Sequence, residues 1–301
     1  MFDVSRKFDS LREARAEATV KLSSWLIAAV KKGRVEKGDV FEVSRTAGIL
    51  AAKRTSELIP MCHNLPVDFI GIEFETAKDS VIVRTHVKSI WKTGVEMEAL
   101  VAASIAALTL YDMLKPLGEA IEIGNIRLLE KRGGKSQIKV DFPHPIRAAV
   151  VVASDSAAAG KRKDSSGALI VERLAAYRIK TSSYHVLPDD VEALKAELSG
   201  LVKKKYDLVF TTGGTGLGPR DVTADATRAV LEREVPGIVE AARAFGQHRV
   251  PMAMLSRAVA GTAGKTLLIN LPGSPKAVAE SLDALLPALF HAFWMLEGGG
   301  H

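Results

Sequence analysis

The sequence predicts two domains of different fold class: an α+β domain with an antiparallel sheet, then an α/β domain with a mostly parallel sheet between two helical layers. The chain has 301 residues, whereas a single domain commonly has about 100–200. Residues 141–145 contain two prolines directly before an apolar run, which indicates a linker at 141–146. We therefore expect the domains to span residues 1–140 and 147–301.

In the first domain, residues 39–56 are predicted to form a helix. Small or apolar side chains recur there at helical spacing, and Asp39 can cap the first turn. Residues 70–75 alternate between apolar and polar side chains, which is typical of a half-buried strand. A second strand at 81–88 pairs with it through a short turn, and a long helix follows over about 94–114. Paired strands flanked by helices indicate an antiparallel sheet.

The long helix carries polar side chains that call for an explanation. Glu98 and Asp112 are separated by nearly four whole turns and so share a face, while Asp112 and Lys115 are neighbours three residues apart. Glu96 points away from Glu98. If both Glu96 and Glu98 serve catalysis, the pocket gathers residues from more than one subunit. The alternative is a solvated ion pair of Asp112 and Lys115 at the helix end, which the residues alone favour.

The second domain contains four apolar runs separated by helical segments. The strands are expected at residues 148–153, 182–187, 207–212 and 266–270. Continuous apolar strands joined by helices indicate a parallel sheet covered on both faces, with ligands bound at the carboxyl ends of its strands. Polar loops follow these strands at residues 154–156, 188–189, 213–216 and 270–275.

A glycine-rich loop follows the third of these strands. Gly213, Gly214 and Gly216 let backbone N–H groups approach a phosphate, and Thr212 and Thr215 can add hydroxyl donors. The spacing matches neither the Walker loop nor the dinucleotide fingerprint. The alternative is a tight turn between strand and helix.

Asp221 lies just beyond this loop and can be interpreted in two ways. A carboxylate there can hold Mg²⁺ against phosphate oxygens. Alternatively, Asp221 caps a helix that starts near Thr223.

Composition narrows the class of partner. The net charge is +6 and the pI about 9.3, but the positive charge is spread over both halves and no nucleic-acid-binding motif is present. One cysteine, Cys62, cannot form an internal disulfide. We find no uninterrupted apolar stretch of membrane-spanning length and no apolar core of a signal sequence at the N-terminus. We expect a cytoplasmic protein that binds neither nucleic acid nor membrane.

Five blocks of the first domain occur in a specific order: Lys37-Gly38-Asp39-Val40, Ala51-Ala52-Lys53-Arg54-Thr55, Leu58-Ile59-Pro60-Met61-Cys62-His63, Thr93-Gly94-Val95-Glu96-Met97-Glu98-Ala99-Leu100 and Tyr111-Asp112-Met113-Leu114-Lys115. Over residues 2–138 they resemble cyclic pyranopterin monophosphate synthase, accessory protein C of molybdenum cofactor biosynthesis. The resemblance implies a ferredoxin-like subunit in a hexamer. It also implies conversion of (8S)-3′,8-cyclo-7,8-dihydroguanosine 5′-triphosphate to cyclic pyranopterin monophosphate and pyrophosphate, with no obligatory cofactor.

By this resemblance Asp112, Lys115 and Lys37 are catalytic, the carboxylate in the active site and the lysines as acid/base or phosphate-contacting groups. The substrate-binding residues that it implies are Met61, Cys62, His63, Met97, Glu98, Lys53 and Lys135. Before the resemblance is considered, His63 is as readily a loop histidine bonded to backbone, and Cys62 a small packing residue.

Three residues depart from the pattern of this family. Asn64 stands where proline is common, Trp91 where a small residue is usual, and Gln137 where glycine is expected. The glycine-rich segment 133–136 can bring the charge of Lys135 to the triphosphate, or can be only a turn before the last strand.

A second ordered set spans about 147–295: Ser154-Asp155-Ser156, Asp164-Ser165-Ser166-Gly167, Pro188-Asp189, Thr211-Thr212-Gly213-Gly214-Thr215-Gly216, Arg220-Asp221-Val222-Thr223, Pro236-Gly237, Leu255-Ser256-Arg257 and Leu271-Pro272-Gly273-Ser274-Pro275. It resembles the molybdopterin adenylyltransferase family, which transfers AMP from Mg²⁺-ATP to molybdopterin and releases pyrophosphate. The resemblance implies that Asp221 and Asp189 are catalytic, with Asp221 as the metal ligand.

The substrate-binding residues that this second resemblance implies are Asp155, Thr212, Gly213, Gly214, Thr215, Gly216, Ser256, Arg257, Pro272, Gly273 and Ser274. This family forms trimers and the first forms hexamers, so a homo-oligomer with threefold symmetry, a trimer or a hexamer, is compatible with both. We expect pterins and nucleotides as the small-molecule partners.

Two functions remain open at the level of sequence. One is a bifunctional enzyme that acts at an early and a late step of cofactor synthesis. The other is a protein with one catalytic domain, whose second domain binds pterin or serves assembly.

Overall fold

The structure, a computed structural model, describes residues 1–299 and divides into two compact units, Met1–Gln137 and Ile138–His301. The elements of the first unit, in chain order, are strand β1 (Ser10–Lys21), helices α1 (Ser24–Lys31), α2 (Val40–Lys53) and α3 (Thr55–Leu58), strands β2 (Phe69–Thr76) and β3 (Ser80–Trp91), helix α4 (Glu96–Leu114) and strand β4 (Glu122–Arg132). Its sheet has the order β2-β3-β1-β4, and every neighbouring pair is antiparallel. The predicted antiparallel sheet is confirmed.

Strand β1 lies at the centre of this sheet although no pattern predicted it. Its inward face carries Ala14, Ala16, Ala18 and Val20, all buried against the core. Alanine and glutamate are depleted in strands, so composition argued against a strand here. Strict alternation of small and charged residues is the signal that identifies it.

Helix α4 packs on α2 and on β1 through a stripe of small residues. The buried members of the stripe are Ala99, Ala102, Ala103, Ala106 and Ala107. Gly48 of α2 faces them, and a Cβ atom built there would lie 2.5 Å from Ile72 Cδ1 and 3.0 Å from the Ala102 carbonyl oxygen. The close approach of the two helices therefore requires glycine at this position.

The predicted helix at 39–56 is two helices. Asp39 caps α2 by accepting hydrogen bonds from Phe41 N at 2.9 Å and Glu42 N at 3.1 Å, which confirms the predicted cap. The chain leaves the helix at Arg54 and re-enters it as α3.

Residues 96–117 are long and apolar enough to cross a membrane by length and composition, with a hydropathy of 1.5. Glu96, Glu98, Asp112 and Lys115 interrupt this window, so the expectation that no uninterrupted apolar stretch of this length exists is not contradicted. In the structure 56% of this window is buried, and α4 is the central core helix of the first unit.

The second unit contains strand β5 (Arg147–Ala153), helices α5 (Asp155–Ala158) and α6 (Ser166–Ala175), strand β6 (Lys180–Leu187), helix α7 (Val191–Lys203), strand β7 (Leu208–Thr212), helix α8 (Thr223–Arg228), strand β8 (Arg233–Glu234), helix α9 (Pro236–Gln247), strands β9 (Ala260–Ala263) and β10 (Thr266–Leu271), and helices α10 (Pro275–Leu285) and α11 (His291–Leu296). The sheet order is β6-β5-β7-β10-β9-β8. The first four strands are parallel, and β9 and β8 add an antiparallel edge.

Two apolar clusters cover this sheet. Along β5, Val150 and Val152 join the cluster that includes α6 and α10, whereas Ala149 and Val151 join the cluster that includes α7. Successive side chains of a strand point to opposite faces. The clusters therefore lie on opposite faces, and the predicted mostly parallel sheet with helices on both sides is confirmed.

The segment predicted as a linker packs on the second unit. The Phe142 ring lies 5.4 Å from the ring of Phe290, centroid to centroid, and Ile146 is buried. Trp294 Nε1 donates a hydrogen bond to the Asp141 carbonyl oxygen at 3.1 Å.

Candidate functional site

The first unit brings Lys37, Asp112 and Lys115 together at the C-terminal end of α4. Lys37 Nζ lies 2.9 Å from Asp112 Oδ2 and also donates to the Asp112 carbonyl oxygen at 2.8 Å. Lys115 Nζ lies 2.8 Å from Asp112 Oδ1. A single carboxylate thus bridges two ammonium groups, and all three side chains are exposed to a ligand.

The charges of this cluster reinforce each other. Hydrogen bonds from Lys115 and then Lys37 lower the pKa of Asp112 to about 2. The hydrogen bond and charge of Asp112 in turn raise the pKa of Lys115. At neutral pH Lys115 is therefore protonated in the free protein, which suits a proton donor or a phosphate contact and not a free base.

A second group lies at the start of α4. Glu98 is only 4% exposed, and burial, helped by the charge of Glu96, raises its pKa to about 7. Burial and the charge of Glu98 raise the pKa of the half-buried Cys62 thiol, so Cys62 lies near this carboxyl group. Glu98 can exchange a proton near neutral pH, whereas Cys62 is a poor nucleophile.

The neighbours of Cys62 are arranged differently. Met61 is largely exposed and Met97 partly exposed. His63 Nε2 lies 2.7 Å from the Phe2 carbonyl oxygen and so donates to backbone, which matches the loop-histidine alternative in the free protein. Lys53 lies exposed at the C-terminal end of α2.

These two groups lie far apart within one chain. Glu98 and Asp112 share a face of α4 but are fourteen residues apart, which at about 1.5 Å per residue is about 21 Å along the helix axis. Their carboxyl groups cannot act on the same atoms of a substrate from one copy of the helix.

The glycine-rich segment after β4 is held by a residue that no pattern identified. Arg12 Nη1 donates to the Gly133 carbonyl oxygen at 3.3 Å, and other nitrogens of the same guanidinium donate to the carbonyl oxygens of Trp91 at 3.1 Å and Lys92 at 3.3 Å. Lys135 Nζ lies 4.9 Å from the centroid of the Phe8 ring. The expectation that this segment is a turn before the last strand is wrong, because it follows β4, the last strand of this sheet.

Gln137 closes the same segment. Its Oε1 accepts from Gly133 N at 2.6 Å, and its Nε2 donates to the Lys131 carbonyl oxygen at 2.8 Å. The departure from glycine at this position thus supplies two hydrogen bonds to the loop.

The second unit gathers its polar loops at the carboxyl ends of β5, β6, β7 and β10, as the sheet rule predicts. They surround a polar cavity of about 260 Å³. Its polar or glycine lining residues are Ser154, Arg162, Lys163, Asp164, Ser165, Ser166, Asp189, Thr212, Gly213, Gly214, Arg220, Asp221 and Gly273.

Carboxylates dominate one wall of this polar cavity. Asp189 N donates to Asp155 Oδ1 at 3.0 Å, and Asp155 N donates to Asp189 Oδ2 at 3.3 Å, which fixes the two loops to each other. Burial, followed by the charge of Asp221, raises the pKa of Asp189. Asp155 also forms an ion pair with Arg220.

Asp221 holds its own loop. Its Oδ2 accepts from Gly218 N at 2.8 Å. Helix α8 starts after Val222, and among residues 1–299 no side chain caps it. The alternative in which Asp221 caps this helix is therefore wrong.

The pair Asp189 and Asp221 fits a hard cation. Their oxygens face one cavity and their charges repel each other, which a divalent ion would relieve. The described residues contain no group of three or more His, Cys, Asp or Glu side chains arranged to hold a metal alone. Mg²⁺ commonly takes one or two carboxylates together with substrate phosphates, so the donor set suits Mg²⁺ bound with a nucleotide.

The glycine loop forms the opposite wall. Gly213 has a φ of +94°, and a Cβ atom there would lie 2.2 Å from the Ala153 carbonyl oxygen, so only glycine fits. Thr212 Oγ1 donates to the Pro272 carbonyl oxygen at 2.6 Å. In the free protein this hydroxyl ties the glycine loop to the loop after β10, and its role as a phosphate donor stays a prediction.

An apolar cavity of about 340 Å³ adjoins the polar one. The predicted site residues that line it are Thr215, Gly216, Ser256, Pro272 and Ser274. Helices α9 and α10 supply most of the remaining lining. The two cavities thus share the same pair of loops, 213–216 and 272–274.

Arg257 lies outside the linings of both cavities. Its guanidinium lies 2.5 Å from Asp225 Oδ1 and donates to the Asp221 carbonyl oxygen at 3.2 Å. In the free protein Arg257 therefore positions the Asp221 segment, and its role at the pterin or nucleotide site stays a prediction.

Comparison with known proteins covers both units. The MoaC family model matches residues 1–134, and the model described as "Probable molybdopterin binding domain" matches residues 149–291. A molybdenum cofactor biosynthesis bifunctional protein of Chlorobaculum tepidum is 42% identical over 301 residues, covering 100% of this chain and 96% of that protein. One of Synechococcus elongatus is 38% identical over 314 residues, covering 100% of this chain and 98% of that protein.

Each half also has separate relatives. A cyclic pyranopterin monophosphate synthase of Cereibacter sphaeroides is 51% identical over 138 residues, covering 45% of this chain and 87% of that protein. A crystal structure of the molybdopterin biosynthesis enzyme MoaB from Thermus thermophilus is 44% identical, with a TM-score of 0.49, and covers 51% of this chain and 97% of that chain.

Proposed function

Because the chain belongs to the family of bifunctional molybdenum cofactor biosynthesis proteins, we propose that its two units catalyse two steps of that pathway. The first unit converts (8S)-3′,8-cyclo-7,8-dihydroguanosine 5′-triphosphate to cyclic pyranopterin monophosphate and pyrophosphate. The second transfers AMP from ATP to molybdopterin and also releases pyrophosphate. The observation that carries this proposal is that one chain holds two separate clusters of charged residues, each on the sequence blocks of its own family.

In the first reaction, Lys37, Asp112 and Lys115 form the catalytic cluster. The Asp112 carboxylate keeps Lys115 protonated, so Lys115 donates a proton or holds phosphate during ring rearrangement. Glu98 accepts or returns a proton near neutral pH because its pKa is about 7. Met61, His63, Met97, Lys53 and Lys135 complete the substrate site.

Glu98 and Asp112 are about 21 Å apart along α4. This separation supports a site shared between subunits, in which Glu98 comes from one copy and Asp112 from another. Exposed Val43 and Leu50 on α2, and Leu108 on α4, offer apolar surface for association. We propose a homo-oligomer with threefold symmetry, a trimer or a hexamer. The strand order β4-β1-β3-β2 with two crossing helices supports a ferredoxin-like fold for each first unit.

In the second reaction, Asp189 and Asp221 hold Mg²⁺, which when bound neutralises phosphate charge. The backbone of Gly213 and Gly214 faces the same cavity and receives a phosphate group. The fixed donors and charges of the cavity stabilise the charge that develops on the transferring phosphoryl group. Asp155 keeps Asp189 in place through the reciprocal backbone hydrogen bonds.

The adjoining apolar cavity suits the pterin. A planar heterocycle needs a concave, mainly apolar site with a few polar contacts, and Ser256 and Ser274 lie on its wall. Loops 213–216 and 272–274 line both cavities, so a phosphate carried by the pterin can meet the α-phosphate of ATP between them.

Several features support activity in both units over the alternative with one catalytic unit. Asp189 and Asp221 are both present, and the departure at Gln137 is accommodated by hydrogen bonds within the loop. Asn64 lies in the loop after α3, directly after Met61–His63. We expect the protein to act in the cytoplasm on pterins and nucleotides, and to bind neither nucleic acid nor membrane.

Product identification tests the proposal. The purified full chain is incubated with cyclised dihydroguanosine triphosphate, and separately with molybdopterin, ATP and Mg²⁺, and the products are identified by mass spectrometry. We expect cyclic pyranopterin monophosphate from the first mixture and adenylyl-molybdopterin from the second. Only one of the two products would support the alternative, in which the other unit binds pterin or serves assembly.

A further inference from the structure

We propose that Arg162 and Lys163 bind the pyrophosphate part of ATP in the second active site, and stabilise it as it leaves. The proposal rests on the adenylyl transfer proposed above. Both side chains line the polar cavity that Asp189 and Asp221 also line. They belong to a run of three basic residues, Lys161 to Lys163, directly before the Asp164-Ser165-Ser166-Gly167 block.

The backbone that carries these two cations is anchored at both ends. Before them, the Ser156 carbonyl oxygen accepts from Lys161 N at 2.9 Å and from Arg162 N at 3.2 Å. After them, Asp164 Oδ2 accepts from Gly167 N at 2.9 Å and from the Tyr184 hydroxyl. The cations are therefore held at the rim of the cavity although their side chains are exposed.

The ion pairs of the cavity leave these two cations available. Arg220, the third cation of the lining, is already paired with Asp155. Within residues 1–299, neither Arg162 nor Lys163 has a side-chain hydrogen bond or ion pair with another residue. Since the charges of Asp189 and Asp221 would offset those of a bound Mg²⁺, and Arg220 is paired, Arg162 and Lys163 are the cationic side chains of the lining that can attract the phosphates.

The position of Arg162 and Lys163 in the polar cavity favours contact with the pyrophosphate leaving group over contact with the α-phosphate. The α-phosphate must be reached from the apolar cavity, and so lies near loops 213–216 and 272–274, which line both cavities. Arg162 and Lys163 line the polar cavity alone. In phosphoryl transfer the attacking and leaving oxygens lie roughly in line, on opposite sides of the phosphorus. The leaving pyrophosphate therefore lies on the side of the α-phosphorus that faces away from the pterin, and this is the side on which Arg162 and Lys163 lie.

The step balances as follows. An ionised phosphate oxygen of molybdopterin forms a bond to the α-phosphorus of ATP. The bond from that phosphorus to the oxygen bridging the α- and β-phosphates breaks, and pyrophosphate leaves with the electron pair. Negative charge grows on the bridging oxygen, and charge-assisted hydrogen bonds from Arg162 and Lys163 stabilise it.

Binding of inorganic pyrophosphate to the full chain tests the proposal. In the double variant Arg162→Gln/Lys163→Gln, we expect the Kd for pyrophosphate, measured by titration calorimetry with Mg²⁺, to rise by about tenfold or more. The Kd for AMP should change by less than about twofold, because AMP carries no leaving group. Adenylyl-molybdopterin formation should slow by a similar factor.

The matched control is Lys203→Gln/Lys204→Gln at the C-terminal end of α7. It removes the same charge from exposed positions at the opposite edge of the sheet. Unchanged pyrophosphate binding in the Arg162/Lys163 variant, or an equal loss in the control, would overturn the inference while wild-type product still supports the adenylyltransferase. A wild-type chain that forms no adenylyl-molybdopterin would overturn the proposed function first, and this role with it.

Discussion

Replacing Glu98 by glutamine should make the first unit more stable at alkaline pH and not at acid pH. Glu98 is buried and its pKa is raised to about 7, from the ordinary value of 4.5. A carboxyl group whose pKa is higher in the folded than in the unfolded state lowers the free energy of unfolding as pH rises above the unfolded pKa, because the group then ionises more readily in the unfolded chain. This loss of stability stops growing once the pH exceeds the folded pKa. The cost therefore develops between about pH 4.5 and pH 7.

The size of the effect follows from the two pKa values. At about 1.36 kcal/mol for each pKa unit, ionised Glu98 costs about 3 kcal/mol at pH 8 and less than about 1 kcal/mol at pH 5. Glutamine keeps the shape and carries no charge. Glu98→Gln should thus raise the free energy of unfolding by about 3 kcal/mol at pH 8, and by less than about 1 kcal/mol at pH 5, while slowing the first reaction.

Urea denaturation at the two pH values measures this difference. Replacing Trp294 by phenylalanine in all variants leaves Trp25 and Trp91 of the first unit as the only tryptophans, so their fluorescence reports that unit. The control is Glu122→Gln, which removes an exposed carboxylate 3.0 Å from Lys21 Nζ and should give no gain at pH 8. Equal unfolding free energies for Glu98→Gln and its parent at pH 8 would refute the reasoning.

Three further predictions follow from the packing and the charges. Removal of divalent cations with EDTA should stop formation of adenylyl-molybdopterin and leave formation of cyclic pyranopterin monophosphate unchanged, as mass spectrometry of both products would show. Gly48→Ala should destabilise the chain by about 1–3 kcal/mol, because its Cβ would meet Ile72 and the Ala102 carbonyl, whereas Gly200→Ala in α7, with no atom within 4 Å of the added Cβ, should stabilise it by about 0.5–1 kcal/mol. Thr212→Val should cost about 1–3 kcal/mol in thermal or urea unfolding by leaving the Pro272 carbonyl oxygen unpaired, and Thr212→Ser should restore most of that stability.

Elements with a strong local pattern could be predicted from sequence. Alternation identified β2 and β3, and apolar runs identified the four parallel strands. Strand β4 carried no such signal, since its side chains are mostly exposed on one outer strand of the sheet. Strands β8 and β9 are two and four residues long, too short for a period to show.

The location of the second site could also be predicted, because the carboxyl ends of parallel strands meet at one edge. What individual side chains do there could not be predicted. The Thr212 hydroxyl bonds to Pro272 and the Arg257 guanidinium to Asp225, and these bonds between distant parts of the chain depend on tertiary packing. The Asp221 carboxylate bonds within its own loop, to Gly218 N, and not to the helix that follows. The basic run at Arg162 and Lys163 was visible in the sequence, but only its position at the cavity makes it part of a site.

The first site shows the same limit. Spacing along a helix placed Glu98 and Asp112 on one face and Asp112 beside Lys115. It could not show that Lys37 reaches the same carboxylate from the loop before α2, nor that Arg12 binds two loops at once. The roles of these residues in catalysis stay a prediction.

A crossed test of single variants examines the central claim, two independent active sites in one chain, most directly. Wild type, Lys115→Ala and Asp221→Ala are each assayed by mass spectrometry for both products under identical conditions. We predict that Lys115→Ala loses only cyclic pyranopterin monophosphate and that Asp221→Ala loses only adenylyl-molybdopterin. Loss of both products in one folded variant, or retention of both in either, would contradict the account.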